Sequence, residues 1–361
     1  MRALFAVAAL AGAATLAAGA ADAAGFQIRN AAARVVIVPE ARSDVAVTVI
    51  KTNPKLPLRL TTGLGGKTVV DGDILGGFLF GRRISCGPEG PGGWISVGGV
   101  GRVAYEDLPQ VVVRVPMDAQ VEAGGGVFGA VGRAERLRLS SSGCGSWTVA
   151  DVRKDLTVES SGVTRIAAGT ADKMRLSASG AGAITARSAA TGLQANVSGT
   201  ADITVAQAWG DIDTEVSGTG SIRIDAGQAN KLAAHASGTG SISFGGAAGR
   251  ADADISGAGN VAVHQVTKAL GVDISGIGGM HVDQADGTVR ASISGTGSLT
   301  VAAGHASNVQ ARLSGAGGLD YEGVADHVDA DASGTGSVRI GKVTGTVESR
   351  SSGTAKIIIG H

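Results

Sequence analysis

Apolar and polar positions alternate with a period of two through the last two thirds of this chain of 361 residues, and a Ser-Gly pair resets the alternation at a near-constant interval. Twelve such serines run from Ser142 to Ser352, 18 to 20 residues apart. One position before the serine stand Val197, Val216, Ile255, Ile274 and Ile293, and five before it Leu193, Ile212, Leu232 and Leu270. Five after it come Ile203, Ile222, Ile242 and Val261, and seven after it Val205, Ile224, Phe244 and Val263. All these offsets are odd, so one side of an extended chain is apolar throughout, as a β-strand requires and a helix would not maintain.

The glycines one and three positions after the serine, such as Gly218 and Gly220, share the inward parity. Glycine there leaves no side chain to bury and allows the positive φ values of a tight corner. Each unit therefore reads as two strands, a glycine corner and a looser return of about six residues, as in Asp225 to Asn230. A repeat this short cannot bury a core alone and has to stack. The pattern predicts an all-β chain, a parallel β-solenoid of 12 or 13 coils of about 19 residues. At a strand spacing of about 4.8 Å, twelve coils make a rod of ~58 Å.

A degenerate coil precedes the first Ser-Gly pair at Ala123 to Phe128, with alanine in place of serine. Upstream, Val35 to Val38, Val45 to Ile50 and Val111 to Val115 read as strands, interrupted by Pro54, Pro57, Pro88, Pro91 and the glycine-rich Gly87 to Gly93. Residues 24–110 are expected to form a β-rich cap or irregular first coils, and residues 111–361 the solenoid. A repeat stack needs a cap because an exposed end would template further pairing.

The N-terminus carries Arg2, an alanine- and leucine-rich run from Ala3, and Ala21-Asp22-Ala23. This is the pattern of a cleaved signal peptide over residues 1–23, which places the mature protein in an exported, disulfide-permissive compartment. After cleavage no integral membrane segment is expected. Cys86 and Cys144 either bridge, closing a loop of 58 residues, or stay as two buried thiols; an even count in an exported chain favours the bridge.

Lysine plus arginine and aspartate plus glutamate are both 31, so no long-range field attracts nucleic acid. Aromatic residues are 3% of the chain, which leaves few exposed rings for stacking on sugars or bases. The 59 glycines recur in register among valine and isoleucine, which argues for an ordered repeat rather than low complexity.

The run Ser-Gly-x-Gly-x-hydrophobic recurs as Ser217-Gly218-Thr219-Gly220-Ser221-Ile222, Ser256-Gly257-Ala258-Gly259-Asn260-Val261 and Ser314-Gly315-Ala316-Gly317-Gly318-Leu319. It resembles the bacterial head-GIN domain family, named for autotransporter adhesins, over roughly residues 110–361. The resemblance implies an exported β-solenoid with an adhesin-like role at the periplasm, envelope or cell surface. It supplies no catalytic residues and no cofactor.

Candidate chemistry lies on outward positions. Asp213, Glu215, His235, Asp252, Asp254 and Asp273 fall on neighbouring coils as a possible ligand-contact stripe, since clustered carboxylates suit hard cations or glycan hydroxyls. The same pattern is that of a solvated face that discourages misregistered pairing. The Gly-Gly-x-Gly-x-Asp calcium repeat is not reproduced, Asp202 being an isolated exception. His264 and His281 approach each other on adjacent coils, but no four-ligand spacing is present and no metal site is expected. The corner serines, without a G-x-S-x-G elbow, read as stacked hydroxyls bonding backbone or one another. A second candidate surface surrounds Trp94 and Tyr105.

The expectation is a non-catalytic binding or structural protein with an envelope or surface partner, protein or glycan. The alternative is a carbohydrate-active β-helix enzyme, a lyase or hydrolase using the clustered carboxylates. Such a site usually needs long loops breaking out of the repeat, and these coils vary by only a residue or two.

Overall fold

The computed structural model describes residues 25–63, 66–74, 83–90 and 92–360. The signal-peptide segment lies outside the described residues. The chain is nearly all β and forms a parallel solenoid of about 13 turns with a spacing of about 19 residues. In its centre each strand runs from one Ser-Gly corner to the next: Asp202–Val216, Ser221–Ala236, Ser241–Ile255 and Asn260–Ile274.

The alternation of the sequence becomes columns of like residues. Ile203, Ile222, Ile242, Val261 and Met280 are successive partners on neighbouring coils, and all are buried. Leu193, Ile212 and Leu232 form a second column. Parallel strands buried on their inner side favour such β-branched and aliphatic runs. Each buried Val, Leu or Ile contributes roughly 1.5–3 kcal/mol relative to exposure. Thr214 is fully buried in the same interior, and its hydroxyl donates to Ala233 O (3.0 Å). Tyr321 replaces an aliphatic residue, and its hydroxyl donates to Ala285 O (3.1 Å). Burial pushes that phenol up to about 12.

Two expectations about the coil are corrected. The return is strand rather than loop, although the ladder shifts register within it: Ala189 is partnered by Ala208, Ala229 by Ala248 and Ala248 by Val266, all buried. Alanine keeps this third side close to the other two, so the strand bends without breaking. The corner glycines also seldom adopt a positive φ; among the Ser-Gly glycines only Gly334 and Gly353 do. Their requirement is space. A Cβ on Gly218 would collide with the Gly199 carbonyl, and one on Gly220 with the Ala201 carbonyl and Val197 Cγ1. Corners therefore stack as closely as strands, with Ser217 N donating to Val197 O (2.9 Å) and Thr219 N to Gly199 O (3.0 Å). The serines point outward, and some hydroxyls reach back one coil: Ser142 Oγ donates to Ala123 O (3.3 Å) and Ser333 Oγ to Leu313 O (3.2 Å).

The first layers are built differently. Strand β1 (Gly25–Glu40) is itself a coil, paired in parallel with the degenerate coil, which lies within Asp118–Val131. Between them the chain leaves the stack. β2 (Ala46–Lys51) and β3 (Arg59–Thr62) pair antiparallel, respectively, with Gln110–Pro116 and with β4 (Thr68–Asp71). Those two partners are parallel to β1 on its other edge, so antiparallel strands close this end. β5 (Ile84–Cys86), β6 (Trp94–Val97) and β7 (Gly101–Ala104) form a separate antiparallel sheet. Ile84 and Ile95 of that sheet pack over Gly126, where a Cβ would meet them. A disulfide joins Cys86 to Cys144 on the solenoid, across 58 residues of sequence.

Candidate ligand-contact face

The stripe residues occupy the strand segment that leads into each Ser-Gly corner. Inward neighbours fix their direction: Ile212, Thr214 and Val216 point into the core, so Asp213 and Glu215 point out. The register then places Glu215, His235, Asp254 and Asp273 in one column, and Asp213, Ala233 and Asp252 in the next. All six stripe residues lie on this one face, and all but the half-buried Asp252 are exposed.

They are not equivalent electrostatically. His235 Nδ1 lies 2.9 Å from Asp254 Oδ2, coupling two successive coils. Asp252 accepts from Arg250 Nε (3.1 Å) and has Lys231 Nζ at 3.8 Å. Asp213, Glu215 and Asp273 have no ion pair among the described residues. The paired carboxylates stabilise register, and the unpaired ones leave acceptors turned to solvent. Exposed pairs of this kind contribute little net stability, commonly about 0–1 kcal/mol.

On the face that follows the corner, His264 and His281 converge on a carboxylate that sequence reasoning did not single out. His264 Nδ1 lies 2.7 Å from Asp283 Oδ2, and His281 Nε2 3.0 Å from Asp283 Oδ1. The His264 hydrogen bond, supported by that from His281, holds the Asp283 carboxyl below its usual range against an opposing desolvation. The signal was present as a His-x-Asp run, His281 to Asp283, opposite His264. Arg223 and Asp225 border the same shallow depression of about 270 Å³. His305 similarly binds Asp326 (2.9 Å) and, with Thr344, lowers its pKa. Among the described residues no group of three His, Cys, Asp or Glu side chains is placed to hold a metal ion. Asp202, the isolated acidic residue of the corner, instead accepts from Ser221 N (3.1 Å) and Ser221 Oγ (2.6 Å) on the next coil.

Trp94 and Tyr105 are half-buried. The Arg102 guanidinium covers Trp94 at 4.1 Å, while Tyr105 packs on Phe128 at 5.3 Å under Arg34. A cleft of about 480 Å³ lies between the small sheet and the solenoid corner, lined by Cys86, Cys144, Arg165 and Asp202.

No helix among the described residues is long and apolar enough to cross a membrane. The model of a protein family described as "putative auto-transporter adhesin, head GIN domain" matches residues 102–227 and 210–304, together more than half of the chain. No curated protein and no solved structure matches it.

Proposed function

The chain belongs to the head-GIN family of adhesin-like domains, and from that premise we propose that it is an exported, non-catalytic binding protein of the bacterial envelope or surface. The observation that carries this reading is the in-register stacking of outward side chains on the strand segments that flank each corner. From Asp202 to Ile274 the segments on either side of each corner stay in register from coil to coil, the shifts being confined to the return, and the corner glycines lie against carbonyls of the preceding turn. A face of this kind offers many weak, repeated contacts rather than one enclosed site. Enclosure is what excludes water and concentrates a field for catalysis, and a ladder face does not supply it.

The unpaired carboxylates Asp213, Glu215 and Asp273 are the contacts proposed to face the partner. Being exposed, they contribute chiefly to steering and register, and their effect weakens with salt. Binding of the purified protein to bacterial envelope fractions, host cells and matrix glycans tests the reading. Retention that falls when Asp213, Glu215 and Asp273 are changed together to their amides is the expected outcome. Failure to bind across the panel would sink it.

A further inference from the structure

A second surface lies on the return side of the coil, away from the carboxylate stripe. Trp209 is the one exposed aromatic side chain among the described residues, with 36% of its surface accessible. The other described rings, from Phe26 to Tyr321, are buried or half-buried. An indole is normally buried for its large apolar area, so its position on an otherwise polar β-face calls for a reason.

The local backbone is irregular at the same place. The strand Asp202–Val216 shifts register against the next between Gly210 and Asp211, so that Trp209 partners Gln228, Gly210 partners Ala229, and Asp211 partners Lys231. Asn230 is left over as a bulge. Gly210 has φ +86°, a left-handed conformation beside the Thr191 carbonyl that a side chain would strike. Bulges re-aim side chains, and this one lies next to the indole.

The ring's immediate neighbours are small or carry neutral hydrogen-bonding groups, and the nearest charges, the exposed Asp211 and its partner Lys231, lie beyond Gly210. Gln207, two positions before Trp209 on the same strand, is exposed, as are Gln228 and Asn230 on the next coil. On the preceding coil the exposed Ala190 follows the Ala189–Ala208 pair, and leaves the ring uncovered on that side. The other large exposed apolar residues lie elsewhere: Val163 and Ile277 just after corner serines, Val49, Ile50 and Leu60 on β2 and β3, and Val347 and Ile358 in the last strands. A stable protein interface buries about 800 Å² per partner around an apolar core. An isolated ring bordered by amides does not provide one.

We propose that Trp209, with Gln207, Gln228 and Asn230, forms a platform for an uncharged pyranose saccharide. The face of an indole carries negative charge density and suits the polarised C–H groups on one side of a pyranose. The side-chain amides, each both donor and acceptor, match hydroxyls at the sugar's rim. This site is distinct from the carboxylate face, so either can fail without the other.

The test is affinity electrophoresis of the full chain in gels containing dextran, a mixed-linkage β-glucan or galactomannan, with binding constants taken from mobility. At least one polysaccharide is expected to retard the protein. Trp209→Ala should weaken that binding at least about tenfold, the factor equivalent to 1.4 kcal/mol. Trp209→Phe should restore part of it, and Glu348→Gln, an exposed residue of the strand Val347–Ser351, should leave it unchanged. Gln228→Ala, which keeps the indole, should weaken binding about threefold and serves as the check if Trp209→Ala does not fold. No retardation by any of the three polymers overturns the proposal. So does equal retardation of wild type and Trp209→Ala. A Trp209→Ala protein that instead loses self-association in sedimentation would assign the ring to a protein contact and also overturn it.

Discussion

The first layers and the central coils solve the same stacking problem with different means. Between Ser198 and Gly336 each corner repeats the one before it, and closeness comes from absent side chains: Gly218, Gly220, Gly238 and Gly240 lie against the carbonyls of the preceding turn. In residues 25–131 the chain leaves the stack and returns, and order comes from antiparallel strands, a second small core around Ile95, Leu108 and Phe128, and a disulfide. Regularity needs few devices beyond its own register. Irregularity needs clips, and the difference predicts where each kind of damage will be felt.

The largest effect is expected from the core. Ile222→Ala removes a member of the central column and should cost about 2–5 kcal/mol. Ile28→Ala should cost a similar amount, because β1 is a coil of the same stack and Ile28 is fully buried. Chemical denaturation followed by hydrogen exchange would measure both. A negligible cost at Ile28 would separate β1 from the solenoid.

Cys86→Ser with Cys144→Ser comes next, because a closed loop of 58 residues is worth roughly 4 kcal/mol in the chain-entropy model. Hydrogen exchange should speed up in residues 84–104 and leave the coils from Ser198 to Gly336 protected. Loss of protection along the whole rod would show that the first layers hold the central coils in place.

Gly220→Ala should destabilise by about 1–3 kcal/mol through collision with backbone. Gly192→Ala, whose Cβ would first meet Asp211 O at an ordinary 3.5 Å, should change stability by under ~0.5 kcal/mol. Thermal melts of the two proteins compare a corner with a face. Equal melting temperatures would remove close packing as the reason for the corner glycine.

The smallest effect concerns pH. Hydrogen bonds from Arg153 (2.6 Å) and Lys154 (2.8 Å) hold the Glu135 carboxyl down at about 2. A folded pKa below the unfolded one stabilises above the unfolded value, near 4.5, and this contribution fades as pH falls toward 2. Wild type should therefore lose slightly more melting temperature than Glu135→Gln over that window. Parallel acid profiles would contradict the pairing.

The same contrast governs what the sequence made legible. Ile203, Ile222 and Ile242 could be placed because a period of two separates inside from outside, and the Ser-Gly marker supplies register. The return was opaque because Ala189, Ala208 and Ala248 give no hydrophobic contrast. Gly218 and Gly220 were recognised as corners with two reasons open, a missing side chain and a positive φ, both of which demand glycine, and the structure uses the first. β1 was visible only as a strand because Gly25–Glu40 lacks the Ser-Gly marker. On the candidate face, the column Glu215, His235, Asp254 and Asp273 followed from counting. The capture of Asp252 by Arg250 and Lys231 did not, because it depends on how long side chains lean across neighbouring columns.

The central claim, that a ladder face binds without turning its ligand over, is tested most directly by one pull-down. Purified protein is incubated with envelope fractions and a polysaccharide panel, and retained protein and released saccharide are measured in the same samples. Retention that weakens with salt and with loss of Asp213, Glu215 and Asp273, with no released product, is the expected result. Saccharide release that disappears in Asp252→Asn with Asp254→Asn would contradict it and establish an enzyme.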